Sequence, residues 1–261
     1  MINTYTSYRL ISADMTKSIE RIKNQPQVER ETEYYLENIT KVKSIEDLMA
    51  DERLFRYAMK AHGLEDMSYA KAFMVKALEG GLDDEHSFAN KLTDKRYADF
   101  VETFNFVRHG EATTVFTRAQ QGTVDKYLRQ TLEEDAGSSN EGVRLALNFA
   151  RNAAEIETAY DILANTAYSK VVRTVLGLPD SFATADIDKQ AAMIEKRINL
   201  EDFQDPELLD KFLTRFTSMW ELENPTSTES TSIAALFSQP VEYGISSDVM
   251  LTLQGLKLGG N

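Results

Sequence analysis

Cysteine is absent from the 261 residues, which excludes disulfides, thiolate metal ligands and a cysteine nucleophile while selecting no compartment. Glycine and proline are scarce, at 12 and 5, and with so few breakers the plentiful Ala, Leu, Glu, Lys, Arg and Met point to helix. Three histidines leave little material for a Ser/His/Asp arrangement. No window approaches the ~20 consecutive apolar residues that span a bilayer, so no membrane insertion is expected. The start Met1-Ile2-Asn3-Thr4-Tyr5 lacks the charged and apolar regions of a secretory signal, and Sec secretion is not expected. Basic clusters are missing as well. The net charge is −13: residues 1–60 balance ten basic against ten acidic residues, and 61–261 hold 19 against 32. A nucleic-acid or anionic-lipid partner is therefore not expected, since either needs a basic face. Phosphate loops of the Gly-x-x-x-x-Gly-Lys or Gly-x-Gly-x-x-Gly kind do not occur.

What is present has ordinary globular proportions, 42% apolar and 27% charged, and predicts a folded chain. Tyr8, Ile11, Met15, Ile19 and Ile22 recur every three to four residues, as on one face of a single amphipathic helix stopped by Pro26. Val28, Tyr35, Ile39 and Val42 mark a second helix running to Ser44. Ser44 with Asp47 has the form of a capping box, Asp51 is placed to cap a helix over 52–61, and Gly63 sits where a left-handed residue ends one. Further helices are predicted over 68–79, 87–92, 94–106 and 113–134, from near Ser139, and over 166–176, 186–198 and 205–220. No stretch alternates as a strand would, so the expected fold class is all-α.

The chain also resembles itself. At an offset of 114 (residue 30 with residue 144), segment 30–66 aligns on 144–180 with identities that include Asn38/Asn152, Asp47/Asp161, Gly63/Gly177 and Asp66/Asp180. The substitutions keep physical character: Tyr35/Phe149, Val42/Ile156 and Leu48/Ile162 stay apolar, while Ser44/Thr158 and Asp51/Asn165 stay caps. At an offset of 112 the match resumes with Phe100/Phe212, Val101/Leu213 and Phe104/Phe216. These pairings predict two diverged copies of one helical unit packed as a pseudo-twofold bundle. The expected divisions are an amphipathic helix (1–29), repeat 1 (30–106), a connecting helix and loop (107–143), repeat 2 (144–220) and a polar linker with tail (221–261). A short docked helix is expected in the tail, where Ile233, Leu236 and Phe237 follow a Ser/Thr-rich run.

Candidate chemistry is thin. Asp83, Asp84, Glu85 and His86 join carboxylates to an imidazole at close spacing, as a transition-metal or acid/base site requires, but no second Glu-x-x-His pair accompanies them. Acidic residues ahead of a helix are the simpler interpretation. His62 precedes Gly63, and its repeat counterpart is Leu176, which points to packing; His109 falls in an interhelix turn. Glu133-Glu134-Asp135 is expected to end a helix before a solvated loop at 136–140. The aromatic series Tyr97, Phe100, Phe104, Phe106, Phe212, Phe216 and Trp220 has core spacing.

Several stretches resemble an uncharacterised alphaproteobacterial family of duplicated helical proteins whose genes tend to sit among flagellar genes. They are Ser44-Ile45-Glu46-Asp47-Leu48-Met49-Ala50-Asp51, Ala61-His62-Gly63-Leu64-Glu65-Asp66, Leu92-Thr93-Asp94-Lys95-Arg96-Tyr97, Val175-Leu176-Gly177-Leu178-Pro179-Asp180 and Leu253-Gln254-Gly255-Leu256. The resemblance implies a helical fold and a flagellar association, and carries over no catalytic residue. The expected function is a non-enzymatic structural or accessory protein with protein partners, flagellar components among them, and no cofactor or metal. The alternatives are a cytosolic chaperone or regulator of a flagellar export substrate, and an enzyme or metal protein using Asp83 to His86. The expected location is the cytoplasm, or export with the flagellum, for which the polar start with Asn3, Thr4, Thr6 and Ser7 has the form of an unstructured type III signal.

Overall fold

A computed structural model describes residues 3–225, and these are all-helical with no strand among them. The expected tail helix lies outside the described residues. The first segment is not one helix but two, α1 (Thr4–Ala13) and α2 (Met15–Lys23). Asp14 divides them: its backbone leaves helical geometry at ψ 75° and its carboxylate accepts from Lys17 N at 3.0 Å, capping α2. The polar start is ordered too, because Asn3 Oδ1 accepts from Thr6 N at 2.8 Å as the cap of α1 and Thr4 is fully buried.

Next come α3 (Pro26–Ile39), α4 (Ile45–Ala50), α5 (Glu52–Ala61) and α6 (Lys71–Gly80). Pro26 stands at the first position of α3, where its missing N–H costs nothing. The helix expected over 87–92 does not form. The Asn90 side-chain amide donates to the carbonyls of Leu82 (3.1 Å) and Asp84 (2.9 Å), and this bonding holds the segment as turns. The helix expected over 94–106 is broken into α7 (Arg96–Thr103) and α8 (Phe106–His109), with Asn105 accepting from Arg108 N at 3.0 Å as the cap of the second piece. A 3-10 turn over Gly110–Val115 follows, so α9 spans Gln121–Ser139, later at both ends than expected.

The remaining helices are α10 (Glu141–Asn152), α11 (Ala159–Ala164), α12 (Thr166–Leu176), α13 (Ile187–Arg197) and α14 (Pro206–Glu223). Local features recur 114 residues apart. The Ser44/Asp47 and Thr158/Asp161 capping boxes are both formed, and Asp51 and Asn165 both accept from the amides two and three residues on. Gly63 and Gly177 are left-handed, at φ 68° and 63°, and the following amides reach back to Met59 O (2.8 Å) and Arg173 O (2.9 Å).

Two apolar cores result. The first gathers residues from Ile22 to Leu132, including Tyr35, Phe55, Phe100 and Phe104; the second gathers Tyr8 and residues from Val143 to Trp220, centred on Phe149. The break at Asp14 lets one amphipathic stripe serve both, with Tyr8 in the second core, Ile22 in the first, and Ile11 and Met15 touching each. Helix α9, placed in the sequence-based connector, lends Val124, Tyr127, Leu128 and Leu132 to the first core and packs on its other side against α10. Near the chain's described ends, α1 lies on α14: Thr4 N and Oγ1 donate to Glu221 Oε2 at 2.8 and 2.6 Å, and Arg9 pairs with Asp210.

Candidate functional site

The cluster with most chemical promise in the sequence lies on the surface and does not converge on a common point. Asp83, Asp84, Glu85 and His86 are exposed, Asp83 is paired with Arg108, and Asp84 Oδ1 accepts from His86 N at 2.8 Å. Among the described residues, no three His, Cys, Asp or Glu side chains converge as metal ligands would.

His62 lies in the first core, where three groups with catalytic names meet. Its Nε2 is 3.1 Å from Thr103 Oγ1 and 3.6 Å from Asp99 Oδ2, while Nδ1 is 2.9 Å from Ala58 O. A carbonyl only accepts, so the neutral ring carries its proton on Nδ1. Hydroxyl and carboxylate thus share one ring nitrogen, whereas a proton relay needs them on opposite ones. Burial, reinforced by the charge of Lys126, pushes the His62 pKa down to about 4, so the ring is neutral at pH 7. His109 is edge-on to Phe116, at 5.0 Å between ring centres.

The polar assembly that the spacing did not reveal lies between the two cores. Glu133, only 1% exposed, does not end a helix before solvent, because α9 continues six residues beyond it to Ser139. Its carboxylate accepts from Arg129 Nε (3.2 Å), Arg151 Nη2 (3.1 Å) and Asn148 Nδ2 (3.3 Å), joining α9 to α10. Arg151 Nη2 also donates to Gln130 Oε1 (3.1 Å), whose amide donates to Glu134 Oε1 (3.0 Å), and Glu134 pairs with Lys60 of α5 at 2.7 Å. Burial disfavours the Lys60 charge, but Glu134 and Glu65 outweigh it and hold its pKa above the usual lysine range. Arg129 reaches Met15 Sδ and thereby ties in the N-terminal segment. Asp135, the third acidic residue, pairs with Arg21 at 3.4 Å.

A second link crosses the halves at Lys95 and Asp161, 2.8 Å apart. Burial opposes the Asp161 charge, yet hydrogen bonds from Lys95 and Thr158 hold its pKa below the usual carboxylate value. Every Glu133 oxygen already accepts from cationic or amide donors, so this network is a tie between helices, with no free base in it. Its sequence signal is faint: a helix buried on two sides is normally apolar all round, and α9 looks amphipathic because its second buried face is polar.

Two concavities open elsewhere. One of about 480 Å³ lies over α3 to α5, and its carboxylates Asp47 and Asp51 are the helix caps already described. The other, about 300 Å³, is walled by α12, the end of α13 and α14.

Residues 61–209 match the family model described as Protein of unknown function (DUF1217). The chain is similar to the X-ray crystal structure of Protein AGR_C_984 from Agrobacterium tumefaciens, with 55% identity and a TM-score of 0.80, over 85% of this chain and 94% of that one. No curated protein matches it.

Proposed function

Since the chain belongs to the family described as Protein of unknown function (DUF1217), we propose from its own surfaces that it is a non-enzymatic structural or accessory protein acting through protein–protein contacts at the bacterial flagellum. The observation that carries this is the corner at residues 106–116, where Val107, Val115 and Phe116 are 56%, 60% and 41% exposed. The corner is held firmly, with Thr114 Oγ1 donating to Val42 O at 2.8 Å and Thr113 Oγ1 to Asn105 O at 3.2 Å. Ion pairs of Arg108 with Asp83 and Arg118 with Glu102 border it. Exposed apolar side chains on a fixed backbone with a charged border have the character of a protein contact site. The flagellar placement draws on the gene neighbourhood of the family that the sequence resembles, and is compatible with a cytoplasmic or a co-exported protein.

The proposal includes descent of the two halves from one unit, packed as a pseudo-twofold bundle. Its support is the recurrence of caps, glycine stops and buried aromatics at offsets of 114 and 112. The test is swimming of a clean in-frame deletion strain carrying the wild-type gene, or a Val107→Asp/Phe116→Asp gene, on a plasmid. The expected result is loss of swimming rescued by the first and not by the second, with both proteins equally folded by circular dichroism. Normal swimming of the deletion strain overturns the flagellar placement, and full rescue by the double variant overturns the contact surface.

A further inference from the structure

The two halves differ in what covers one corresponding face. In the first half α9 lies over α5 and α7: Lys126 pairs with Asp99 at 2.5 Å, Tyr127 stacks on Tyr57 at 3.8 Å, and Glu134 holds Lys60. In the second half the counterparts of Tyr57 and Lys60, Val171 and Thr174, are buried, while the counterpart of Asp99, Lys211, stands at the 300 Å³ groove, which is also lined by Val175, Ile198, Phe203 and Phe212. At the offset of 112, Phe212 stands where the first half has Phe100, and Lys211 and Arg215 stand where it has Asp99 and Thr103. Nothing described lies over the groove as α9 lies over its counterpart.

The rim has an uncommon charge state for this chain. Every described arginine except Arg30, Arg197 and Arg215 is ion-paired, and two of those three line this groove beside Lys211, which also has no ion pair among the described residues. Asp202 on the same rim accepts from Asn199 at 2.8 Å. With a net charge of −13, carboxylates are in excess, yet no described carboxylate is ion-paired with these three cations. Apolar walls limit solvent screening, so their field favours an anionic occupant with apolar side chains.

We propose that the occupant is the chain's own segment 226–261, covering the second half as α9 covers the first. The segment follows directly on α14, which itself supplies Leu208, Lys211, Phe212 and Arg215 to the groove, so covering it needs only a reversal of direction after Glu223. Its 36 residues are more than α9 and the loop before it use for the same task in the first half. It carries Glu229, Glu242 and Asp248 against one Lys257, the charge complement of the rim. Glu229, Ile233, Leu236 and Phe237 recur at three- and four-residue spacing, so a helix there would set a carboxylate beside apolar side chains, matching cations bordering an apolar floor. Where α9 brings a lysine to Asp99, this segment brings carboxylates to Lys211 and Arg215. At the position of Asp99 and Lys211 the covering segment and its face exchange charge signs between the halves.

The inference rests on the correspondence of the two halves, and the test separates the two. The chain has no cysteine, so spin labels attach only at introduced sites. A reference pair, Arg56→Cys with Asp125→Cys, reports α5 against α9; the test pair, Glu207→Cys with Ser238→Cys in the full chain, reports α14 against the segment. Narrow distance distributions are expected for both, with that of the test pair broadened by Lys211→Glu/Arg215→Glu while circular dichroism stays unchanged. A narrow reference with a broad test pair overturns the docking and leaves the correspondence standing. A broad reference overturns the cover of the first half by α9, on which the comparison of the two halves depends. A test-pair distance that charge reversal leaves unmoved, or that mixed singly labelled chains reproduce, also overturns the proposal, the latter in favour of a second copy as occupant.

Discussion

The two halves build the same corners and close their cores differently. Ser44 and Thr158, Asp51 and Asn165, and Gly63 and Gly177 perform matching local tasks, yet the first half buries His62 where the second has Leu176, and, with the offset of 114 carried two residues further back to the start of α3, Val28 where the second has Gly142. Around these positions the neighbours differ. Helix α9 lies over the first half and brings Lys126 towards His62, whereas in the second half the Trp220 indole occupies the space that a side chain at Gly142 would need. Caps and helix stops admit few residue types, whereas a core position admits many as long as its neighbours are matched to it.

The largest expected effect comes from severing what joins the halves. Glu133→Leu leaves the half-buried Arg129 and Arg151 beside an apolar side chain without their shared carboxylate, and should cost about 3 kcal/mol in urea unfolding. A single transition split into two would identify the network as the coupling element between the cores.

Next is the buried imidazole. An unfolded histidine binds its proton near pH 6.5 and the folded one only near about 4, so between these values the unfolded state binds more protons and stability falls as pH falls. At ~1.4 kcal/mol per unit the loss is on the order of 3 kcal/mol, and it is flat above and below that window. His62→Leu, which installs the second half's residue, should abolish this component in unfolding measured from pH 7 to pH 4. An unchanged pH profile would show that other groups carry the dependence.

Exchanging the other non-equivalent pair gives a smaller effect. Gly142→Ala drives a Cβ into the Trp220 ring and should destabilise by about 1–3 kcal/mol, whereas Val28→Ala in the first half opens a gap and shifts no aromatic ring. Trp220 is the one tryptophan, so a changed emission spectrum should accompany the first substitution and not the second.

Smallest are the caps. Asn165→Ala should cost ~1 kcal/mol, and Asp51→Ala somewhat more, because the Asp51 carboxylate also accepts from Tyr34 OH at 2.8 Å. Equal losses would mean that the Tyr34 bond adds nothing.

Legibility followed the range of the interactions. Ser44, Asp47, Asp51, Gly63 and their later counterparts were readable because a cap concerns a side chain and an amide two or three residues away. The division at Asp14 was not, since the apolar stripe through Tyr8 and Ile22 is continuous and only the presence of two cores requires it to bend. The turns at 83–92 were missed because Asn90 caps carbonyls six and eight residues back. Of the candidate chemistry, the packed role expected for His62 matches its burial, but its meeting with Thr103 and Asp99 depends on α7 lying against α5. The burial of Glu133 is not legible in the sequence, because nothing within a few residues of it shows the two helices that enclose it.

By itself the sequence determined an all-helical chain, the starts and stops of its capped helices and the repetition of those signals, since each depends on interactions within about one helical turn. Tertiary structure alone decided which faces are covered: α9 wedged between two cores, Glu133 matched by two arginines, and a groove at α12 and α14 whose cations have no ion pair among the described residues. Burial depends on partners far along the chain, and a residue's spacing to its neighbours carries no information about them.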